Sequence, residues 1–264
     1  MKTLTEHPPV VLVFSAHDPS GAAGIQADIE SINSNGARCI SVLTATTTQN
    51  TSVFEAIQPL QATDFRNQAA LLLADIQVNA IKIGLTGSVT VIDEIARVIK
   101  KAGSLPVVLD PVLHAGTGAG LATNEIIASL KQQLLPLTTI LTPNVQEALQ
   151  LTGAIDADSA ARTLLDLGCQ QVLITGADTP TTRVINTLYR QHSEPLEFTW
   201  ERLPGVYHGS GCTLAAAIAA LLAQGVESVE AVTRAQQFCW NSLKYHLQLG
   251  KSQFHPDRNF QDRT

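Results

Sequence analysis

Features that mark membrane and secreted proteins are missing from this 264-residue sequence. No uninterrupted apolar run reaches the roughly 18 residues that a membrane-spanning helix needs. Residues 1–9, MKTLTEHPP, are polar and contain no apolar signal core, so we expect a cytoplasmic protein without membrane contact. The cysteines lie far apart without a CxxC pair, which predicts reduced thiols and neither a disulfide framework nor a zinc site. They are Cys39, Cys169, Cys212 and Cys239.

An excess of basic charge is also missing. The formal net charge is -6, which argues against a nucleic-acid binder but leaves room for a locally basic pocket that holds a small anion. No GxxxxGK(S/T) phosphate loop occurs, and the glycine run at 116–120 does not have the GxGxxG spacing. Because no Gly-, Ser- or Pro-rich linker divides the chain, we expect one domain over 1–264. Both ends, 1–9 and 251–264, are polar, and we expect them to be flexible.

Apolar, β-branched runs alternate with helical patterns along the chain. Most runs are continuous, which is typical of strands buried on both faces of a parallel sheet. The alternation predicts an α/β fold, with an antiparallel hairpin at one sheet edge. The predicted strands are 10–16, 39–45, 80–85, 106–110, 138–142 and 171–175, followed by hairpin strands 184–190 and 196–203. The predicted helices are 22–35, 63–75, 88–101, 123–134, 145–152, 157–168, 211–224 and 227–247.

The stretch HGSGCTLAAAIAA places small residues and a cysteine at the start of a helix. Unpaired N–H groups and a partial positive charge make a helix N-terminus suitable for an anion, and glycines let a phosphate approach the backbone. The same field predicts a lowered pKa for the Cys212 thiol, which would make it a base or nucleophile. Alternatively, Gly209 and Gly211 serve only a tight turn, and Cys212 is a small buried hydrophobic residue.

Polar side chains follow other predicted strands, and the carboxyl ends of parallel strands are where ligands bind in such sheets. Asp110 ends one strand and either holds a metal or a phosphate-bearing ligand, or only caps a turn. Asn144 and Glu147 follow the next strand and begin a helix. They either face the same cleft and hold magnesium, or form a helix-capping box.

The loop after the first strand, DPSGAAGIQAD, passes into a helix. Its small residues permit close packing of a flat ligand, and Asp28, one turn inside the helix, is a candidate hydrogen-bond partner for a ring amine. Gln49 follows the second strand and offers an amide to the same ligand. A solvated loop side chain is the alternative for Gln49.

These motifs, in this order, resemble the ribokinase-like kinases, and among them the hydroxymethylpyrimidine/phosphomethylpyrimidine kinase family. The resemblance covers residues 10 to 248. It rests on DPSGAAGIQADI, TTQN, AIKIGLTGS, VLDPV, LTPNVQEA and HGSGCTLAAAIAA. It implies a three-layer αβα fold with a mostly parallel central sheet and an antiparallel edge hairpin.

The resemblance also implies roles for residues in the substrate half of the site. Asp28 and Gln49 would contact the pyrimidine ring, while Ala23 and the backbone near Val112 would shape the floor of its pocket. The anion hole would consist of Gly209, Ser210, Gly211 and Cys212. Most ribokinase-like enzymes have an aspartate base after that glycine, whereas this branch has the cysteine that is Cys212 here.

For the nucleotide half, the resemblance assigns phosphate contacts to Asp110 and Asn144 and magnesium to Asp110 and Glu147. Many family members have a lysine followed by Gly-Gly-His after the sixth strand. This chain has Thr175 and Gly176 there instead, and we expect the Thr175 hydroxyl to reach a phosphate. Ala16 and His17 also replace a usual glycine and serine.

The implied reaction is the ATP- and Mg2+-dependent phosphorylation of 4-amino-5-hydroxymethyl-2-methylpyrimidine, and of its monophosphate, in thiamine biosynthesis. A homodimer is implied as well. Pyridoxal or pyridoxine is an alternative substrate, because it is also a flat heteroaromatic ring with a hydroxymethyl group. Because the lysine is missing, a third hypothesis is that the chain binds the pyrimidine without catalysing phosphoryl transfer.

Overall fold

A computed structural model describes residues 7–116, 118, 120–179 and 181–263, apart from the side chains of 262 and 263. The strands are β1 (Val10–His17), β2 (Arg38–Gln49), β3 (Phe54–Pro59), β4 (Ala80–Ile83), β5 (Val107–Leu109), β6 (Ile140–Leu141), β7 (Gln171–Ile174), β8 (Arg183–Arg190) and β9 (Leu196–Glu201). The helices are α1 (Gly24–Ser34), α2 (Ala62–Asp75), α3 (Val89–Ala102), α4 (Asn124–Ser129), α5 (Val145–Thr152), α6 (Ala157–Asp166), α7 (Ser210–Ala223) and α8 (Ser228–Lys244). A π-helical turn, Leu130–Leu134, extends α4.

The strands form one sheet in the order β3-β2-β1-β4-β5-β6-β7-β8-β9. Neighbours from β2 to β7 are parallel, and β8 and β9 form an antiparallel hairpin beside β7. The predicted α/β fold, with its mostly parallel sheet and edge hairpin, is therefore confirmed. The sequence pattern does not predict the other antiparallel edge strand, β3. Its six residues, FEAIQP, include Glu, Gln and Pro and so lack a continuous apolar run.

Helices cover both faces of the sheet, which gives the three layers. One core contains apolar side chains from α1, α7 and α8, and the other contains those of α2 to α6. Helix α7 is buried almost all round from Thr213 to Leu222, because it lies between the sheet and the helices α1 and α8. Its composition, AAAIAALL, suits this position, since small side chains let neighbouring elements approach closely.

The order of the strands reverses at β1, which pairs with β2 on one side and β4 on the other. In open α/β sheets, a crevice forms outside the carboxyl ends of the strands at such a reversal. The loops that follow β1, β2, β5, β6 and β7 meet there with the start of α7. The candidate site lies in this crevice.

The C-terminal segment (residues 253–258) is packed against the body of the protein, so the prediction of a flexible end is wrong for these residues. Polar composition suggests a solvated tail, but the side chains of Gln253, His255, Asp257 and Arg258 are all at most 6% exposed. Buried polar groups need hydrogen-bond partners, and the segment finds them far away in the sequence, in two loops and in helix α7. At the other end, residues 1–6 lie outside the described part of the chain.

None of the helices within the described ranges combines the length and apolar character that crossing a bilayer requires. All four cysteines are free thiols.

Candidate active site

Two cavities meet at the start of α7. A cleft of about 590 Å³ lies at the carboxyl ends of the central strands. A more apolar pocket of about 420 Å³ lies between the β8–β9 hairpin and helices α7 and α8. Because the cavities share lining residues, ligands in the two can approach each other. The shared residues are Thr175, Ala177, Val206, Tyr207, Ser210 and Gly211.

Gly209 sets the geometry of the α7 N-terminus. It is the residue before the helix and has a left-handed backbone conformation, φ 85°. A Cβ atom at this position would overlap the carbonyl oxygen of Ala22, so only glycine fits. The helix therefore starts close against the loop after β1. Gly209, Ser210 and Gly211 all line the cleft, and the N–H groups of a first helical turn have no partners within the helix.

Cys212 lies in the first turn of α7 and lines the cleft, as the sequence predicts. The predicted lowering of its pKa is wrong. Burial raises the pKa of the Cys212 thiol, the Asp110 carboxylate raises it further, and Lys82 lowers it only in part. Desolvation and a neighbouring negative charge both disfavour the thiolate.

Asp110 and Glu147 bring two carboxyl groups into the cleft. Asp110 follows β5 and is 5% exposed, and its Oδ2 atom is buried without a hydrogen-bond partner among the described residues. Burial raises the pKa of Asp110, and Lys82 and Cys212 offset this only in part. Burial and Asp110 raise the pKa of Glu147 to about 8. The two groups disfavour each other's ionised form, which is the arrangement that a bound cation would relieve.

Asn144 and Glu147 form the capping box and also face the cleft. The Asn144 side chain accepts from the Glu147 N–H at 2.8 Å, and Glu147 Oε2 accepts from the Asn144 N–H at 3.0 Å, so a capping box is present. Both residues also line the cleft. The described residues contain no cluster of three or more His, Cys, Asp or Glu arranged for a metal. Asp110 and Glu147 still suit Mg2+, which proteins commonly hold through one or two carboxylates together with water and substrate phosphates.

Asp18 holds the loop after β1 in place, a role that the sequence pattern does not identify. Its carboxylate accepts from the Ala23 N–H at 3.0 Å and the Ser20 hydroxyl at 2.8 Å, and its Oδ2 lies 3.0 Å from His208 Nε2. Burial alone would raise the pKa of Asp18, but hydrogen bonds and charge from His208, with bonds from Ser20, lower it to about 2. His208 directly precedes Gly209, so this pair links the loop to the start of α7.

Three of the four predicted substrate contacts, Ala23, Gln49 and Val112, line the cleft. Asp28 does not, and its predicted contact with a ring is wrong. It is completely buried, and its Oδ1 lies 2.7 Å from the Nζ atom of the equally buried Lys82. The first turns of α1 carry Asp28 under the floor of the cleft. The sequence analysis does not identify Lys82, because it is the single polar residue in the otherwise apolar, buried strand β4.

The second cavity contains residues that the sequence analysis does not identify. Trp200 on β9 and Trp240 on α8 line it, with ring centroids 6.5 Å apart. Their indole N–H groups donate to Gln236 Oε1 at 3.0 Å and to the Glu201 carbonyl at 3.0 Å. This leaves ring surface facing the pocket, which suits a flat aromatic ligand. Residues forty positions apart give no local signal of this pairing.

Thr175 follows β7 and lies where the two cavities join. Its N–H donates to the Pro143 carbonyl at 2.9 Å, which fixes the loop after β7 beside the loop after β6. The next N–H, that of Gly176, donates to Asn186 Oδ1 at 3.1 Å. Thr175, for which a phosphate contact is predicted, therefore lies between the pocket of Trp200 and Trp240 and the α7 N-terminus.

Comparison with known proteins gives consistent results. The family model described as phosphomethylpyrimidine kinase matches residues 18–257. The hydroxymethylpyrimidine/phosphomethylpyrimidine kinase of Bacillus subtilis is 34% identical over 245 residues, which is 90% of each chain. The solved phosphomethylpyrimidine kinase of Clostridium difficile is 31% identical with a TM-score of 0.77, covering 89% of this chain and 99% of that one. Staphylococcus aureus pyridoxal kinase, in complex with AMP-PCP and pyridoxal, is 27% identical with a TM-score of 0.88, covering 98% and 96%.

Proposed function

The chain belongs to the phosphomethylpyrimidine kinase family, and we propose that it transfers the γ-phosphoryl group of ATP to 4-amino-5-hydroxymethyl-2-methylpyrimidine and then to the resulting monophosphate. Its relatives are kinases, so the chain is a phosphotransferase. The finer assignments of substrate, base and phosphate site below are part of the proposal.

The observation that carries the proposal is the position of the α7 N-terminus where the two cavities meet. Phosphoryl transfer requires little covalent chemistry from the protein but close positioning of two substrates and donors for the moving charge. Backbone N–H groups at Gly209, Ser210 and Gly211 are fixed before the reaction starts. Such preorganised donors stabilise developing negative charge without reorganisation.

We assign the nucleotide base to the pocket of Trp200 and Trp240. Its lining is mostly apolar, and the indole faces offer stacking surface to a purine ring. From there, the phosphates would extend past Thr175 and Gly176 to the first turn of α7. The solved pyridoxal kinase complex with the ATP analogue AMP-PCP supports nucleotide binding in this fold.

We assign the pyrimidine to the cleft of 590 Å³. Ala23 and Val112 would form its floor, and Gln49 offers an amide to the ring nitrogens or the amino group. Asp28 acts only indirectly, through the ion pair with Lys82 beneath the cleft. With the ring amino group and nitrogens toward Gln49, the hydroxymethyl group would lie toward Cys212 and the α7 N-terminus.

Asp110 and Glu147 are the residues that would hold Mg2+. Lys82 offsets the burial of Asp110 only in part, and Glu147 has a raised pKa, so both carboxyl groups would be stabilised in their ionised form by a further positive charge. When bound, Mg2+ supplies charge that neutralises carboxylate and phosphate oxygens. Asn144 orients Glu147 through the capping box, and Leu113 N–H donates to Glu147 Oε1 at 3.2 Å.

We propose that Cys212 accepts the proton of the substrate hydroxyl. The Asp110 carboxylate opposes ionisation of the thiol, whereas Lys82 favours it. Neutralisation of Asp110 would leave Lys82, offset in part by Asp28, as the largest charge near Cys212. The thiol would then release its proton to solvent more readily, and the resulting thiolate would accept the proton of the substrate hydroxyl. Since phosphoryl transfer proceeds through a loose transition state in most accounts, a strong base is not required.

A coupled assay of ADP release tests this function. We expect release at millimolar Mg2+ that depends on the pyrimidine. Tight pyrimidine binding without ADP release would contradict catalysis and would favour the reading of a pyrimidine-binding protein. The protein should bind AMP-PCP in either case, so calorimetry with this analogue separates a missing nucleotide site from missing transfer.

Pyridoxal phosphorylation is the second candidate function. It is favoured by the structural similarity to pyridoxal kinase in complex with pyridoxal, with a TM-score of 0.89. Both ligands are flat rings with a hydroxymethyl group, so they would compete for one cleft. We expect a higher kcat/KM for the pyrimidine, and a higher value for pyridoxal in the same competition assay would reverse the assignment.

A further inference from the structure

The C-terminal segment joins the loops that surround the cleft. Its residues contact the loops after β1 and β2, the glycine-rich loop after β5, and the segment before α7. The contacts link Gln253 to Thr51 at 3.2 Å and to Gly116 at 2.8 Å, Phe254 to Val206 at 2.8 Å, and His255 to Ser20 at 3.1 Å. No two of these loops are neighbours in the sequence, so the segment restricts their relative positions.

Arg258 makes the deepest of these contacts. Its side chain is 1% exposed, and every nitrogen of its guanidinium group has a partner. Nε donates to Thr213 Oγ1 at 2.9 Å, Nη1 lies 3.0 Å from Glu30 Oε2, and Nη2 donates to the Ala22 carbonyl. Nη1 also donates to the Gly21 carbonyl at 3.5 Å. Because the guanidinium group is planar and rigid, this fork fixes its four acceptors in one geometry.

Two of these partners contact Gly209, which begins the candidate anion site. The Ala22 carbonyl is the group against which Gly209 packs, and the Arg258 Nη2 atom lies 3.0 Å from where a Gly209 Cβ would be. Thr213 is in the first turn of α7, and its hydroxyl donates to the Gly209 carbonyl at 2.8 Å. Arg258 therefore supports Gly209 from two directions, through Ala22 and through Thr213.

We propose that Arg258 is a positioning residue for phosphoryl transfer, which holds the first turn of α7 and the loop after β1 in the relative position that the reaction needs. The inference rests on the proposed function. Glu30 is also a partner of Arg258, but it lies on the outer part of α1, away from the cleft. If Arg258 served stability alone, loss of the Glu30 contact should therefore have an effect similar to loss of the other contacts. Displacing a reacting group by about 1 Å can cost 10²-fold in rate, so loss of the fork should affect kcat.

Steady-state kinetics of Arg258→Lys, Arg258→Ala and Glu30→Gln test the inference. We expect kcat to fall about 10²-fold in Arg258→Ala and at least about tenfold in Arg258→Lys, which keeps the charge but loses the fork. KM for ATP should stay within about threefold, because the pocket of Trp200 and Trp240 does not contact Arg258. Glu30→Gln is the matched control and should keep kcat within about twofold.

Chemical rescue separates positioning from folding. Millimolar guanidinium chloride should raise the kcat of Arg258→Ala about tenfold, because the ion fits the space that the variant leaves, and urea should not, because it lacks the charge. Wild-type kcat in folded Arg258→Lys, or an equal fall in Glu30→Gln, would overturn the inference. Rescue of the melting temperature without rescue of kcat would overturn it as well.

If Arg258→Ala does not fold, Thr213→Val decides the question. This nearly isosteric change removes the hydroxyl between Arg258 and Gly209 and should lower kcat about tenfold, whereas unchanged kcat would contradict the inference. The activity of the wild-type protein separates failure of this inference from failure of the proposed function. If the wild type is active and the variants have the same kcat, only the role of Arg258 is contradicted. An inactive protein contradicts the proposed function and this inference with it.

Discussion

Cys212 is surrounded by charges of both signs. Burial and Asp110 raise the pKa of its thiol, whereas Lys82 lowers it, so its protonation depends on what neutralises Asp110. A position at a helix N-terminus predicts a reactive thiolate only where no carboxylate is close. The sequence places Cys212 in the cleft but cannot reveal this local charge balance.

Replacing Cys212 by serine should lower kcat roughly 10²-fold, because serine is a far poorer proton acceptor than the thiolate, while KM for ATP changes little. Stopped-time assays with the pyrimidine measure this. Cys169→Ala is the matched control, since Cys169 is buried in the core away from the cleft and should affect stability only. Near-normal turnover of Cys212→Ser would assign the proton to another group or to water.

Asp18 should make unfolding depend on acid pH. Its pKa is about 2 in the folded protein against 3.8 as the ordinary value, so the ionised form contributes about 2 kcal/mol to stability at neutral pH. A lowered folded-state pKa means that this contribution is complete above the unfolded-state value and is lost as pH falls toward 2. About half should be lost between pH 5 and pH 3.

Urea unfolding of the wild type and Asp18→Asn at pH 5 and pH 3 measures this contribution. The variant should be less stable at pH 5 and should lose about 1 kcal/mol less than the wild type on going to pH 3. Equal losses in both proteins would mean that His208 and Ser20 do not favour the charged form of Asp18.

At the scale of single elements, the start of α7 contains two glycines with different constraints. A methyl group on Gly209 would overlap the Ala22 carbonyl, in a left-handed backbone conformation, whereas one on Gly211 would lie 3.8 Å from the Asp110 oxygens. The fold thus requires glycine at position 209, whereas position 211 faces the cleft and has room for a methyl group.

Gly209→Ala should lower the free energy of unfolding by at least about 2 kcal/mol, through backbone strain and displacement of the Ala22 loop. Gly211→Ala should fold with unchanged or slightly higher stability, since alanine suits a helix better, yet it should lower kcat by obstructing the anion site. Chemical denaturation and kinetics of both variants test the contrast. Wild-type kcat in Gly211→Ala would contradict an anion site at this turn.

The β8–β9 hairpin and α8 together build the proposed nucleotide pocket. Trp240→Ala should raise KM for ATP about tenfold with little change in kcat, because stacking surface is lost far from the reacting atoms. Phe at the same position should recover most of the affinity. An unchanged KM in Trp240→Ala would place the base elsewhere.

The element pattern could be predicted well, since the buried strands are continuous apolar runs and the helices carry clear boundary residues. The hairpin and all eight α-helices lie close to their predicted positions. β3 could not be predicted, because an edge strand with one neighbour needs no apolar run. The extension of α4 by a π-helical turn, Leu130–Leu134, likewise has no sequence signature.

At the scale of the whole molecule, the strand-end rule predicts where the site lies, because the position of a loop in the sheet follows from strand order. It does not predict contacts made by tertiary packing. Asp28 turns under the cleft to meet Lys82, and Trp200 and Trp240 meet only in the folded chain. Arg258 looks like part of a solvated tail until its partners are known. The homodimer, the cytoplasmic location and the single domain over 1–264 stay predictions.

The most direct test of the central claim is mass spectrometry of the products formed from ATP, Mg2+ and 4-amino-5-hydroxymethyl-2-methylpyrimidine. The proposed function predicts that the monophosphate forms first and the diphosphate follows, each with one equivalent of ADP. Monophosphate alone would limit the enzyme to the first transfer and would attribute the loss of the second to Thr175 in place of lysine. Unreacted pyrimidine beside phosphorylated pyridoxal, under the same conditions, would contradict the claim.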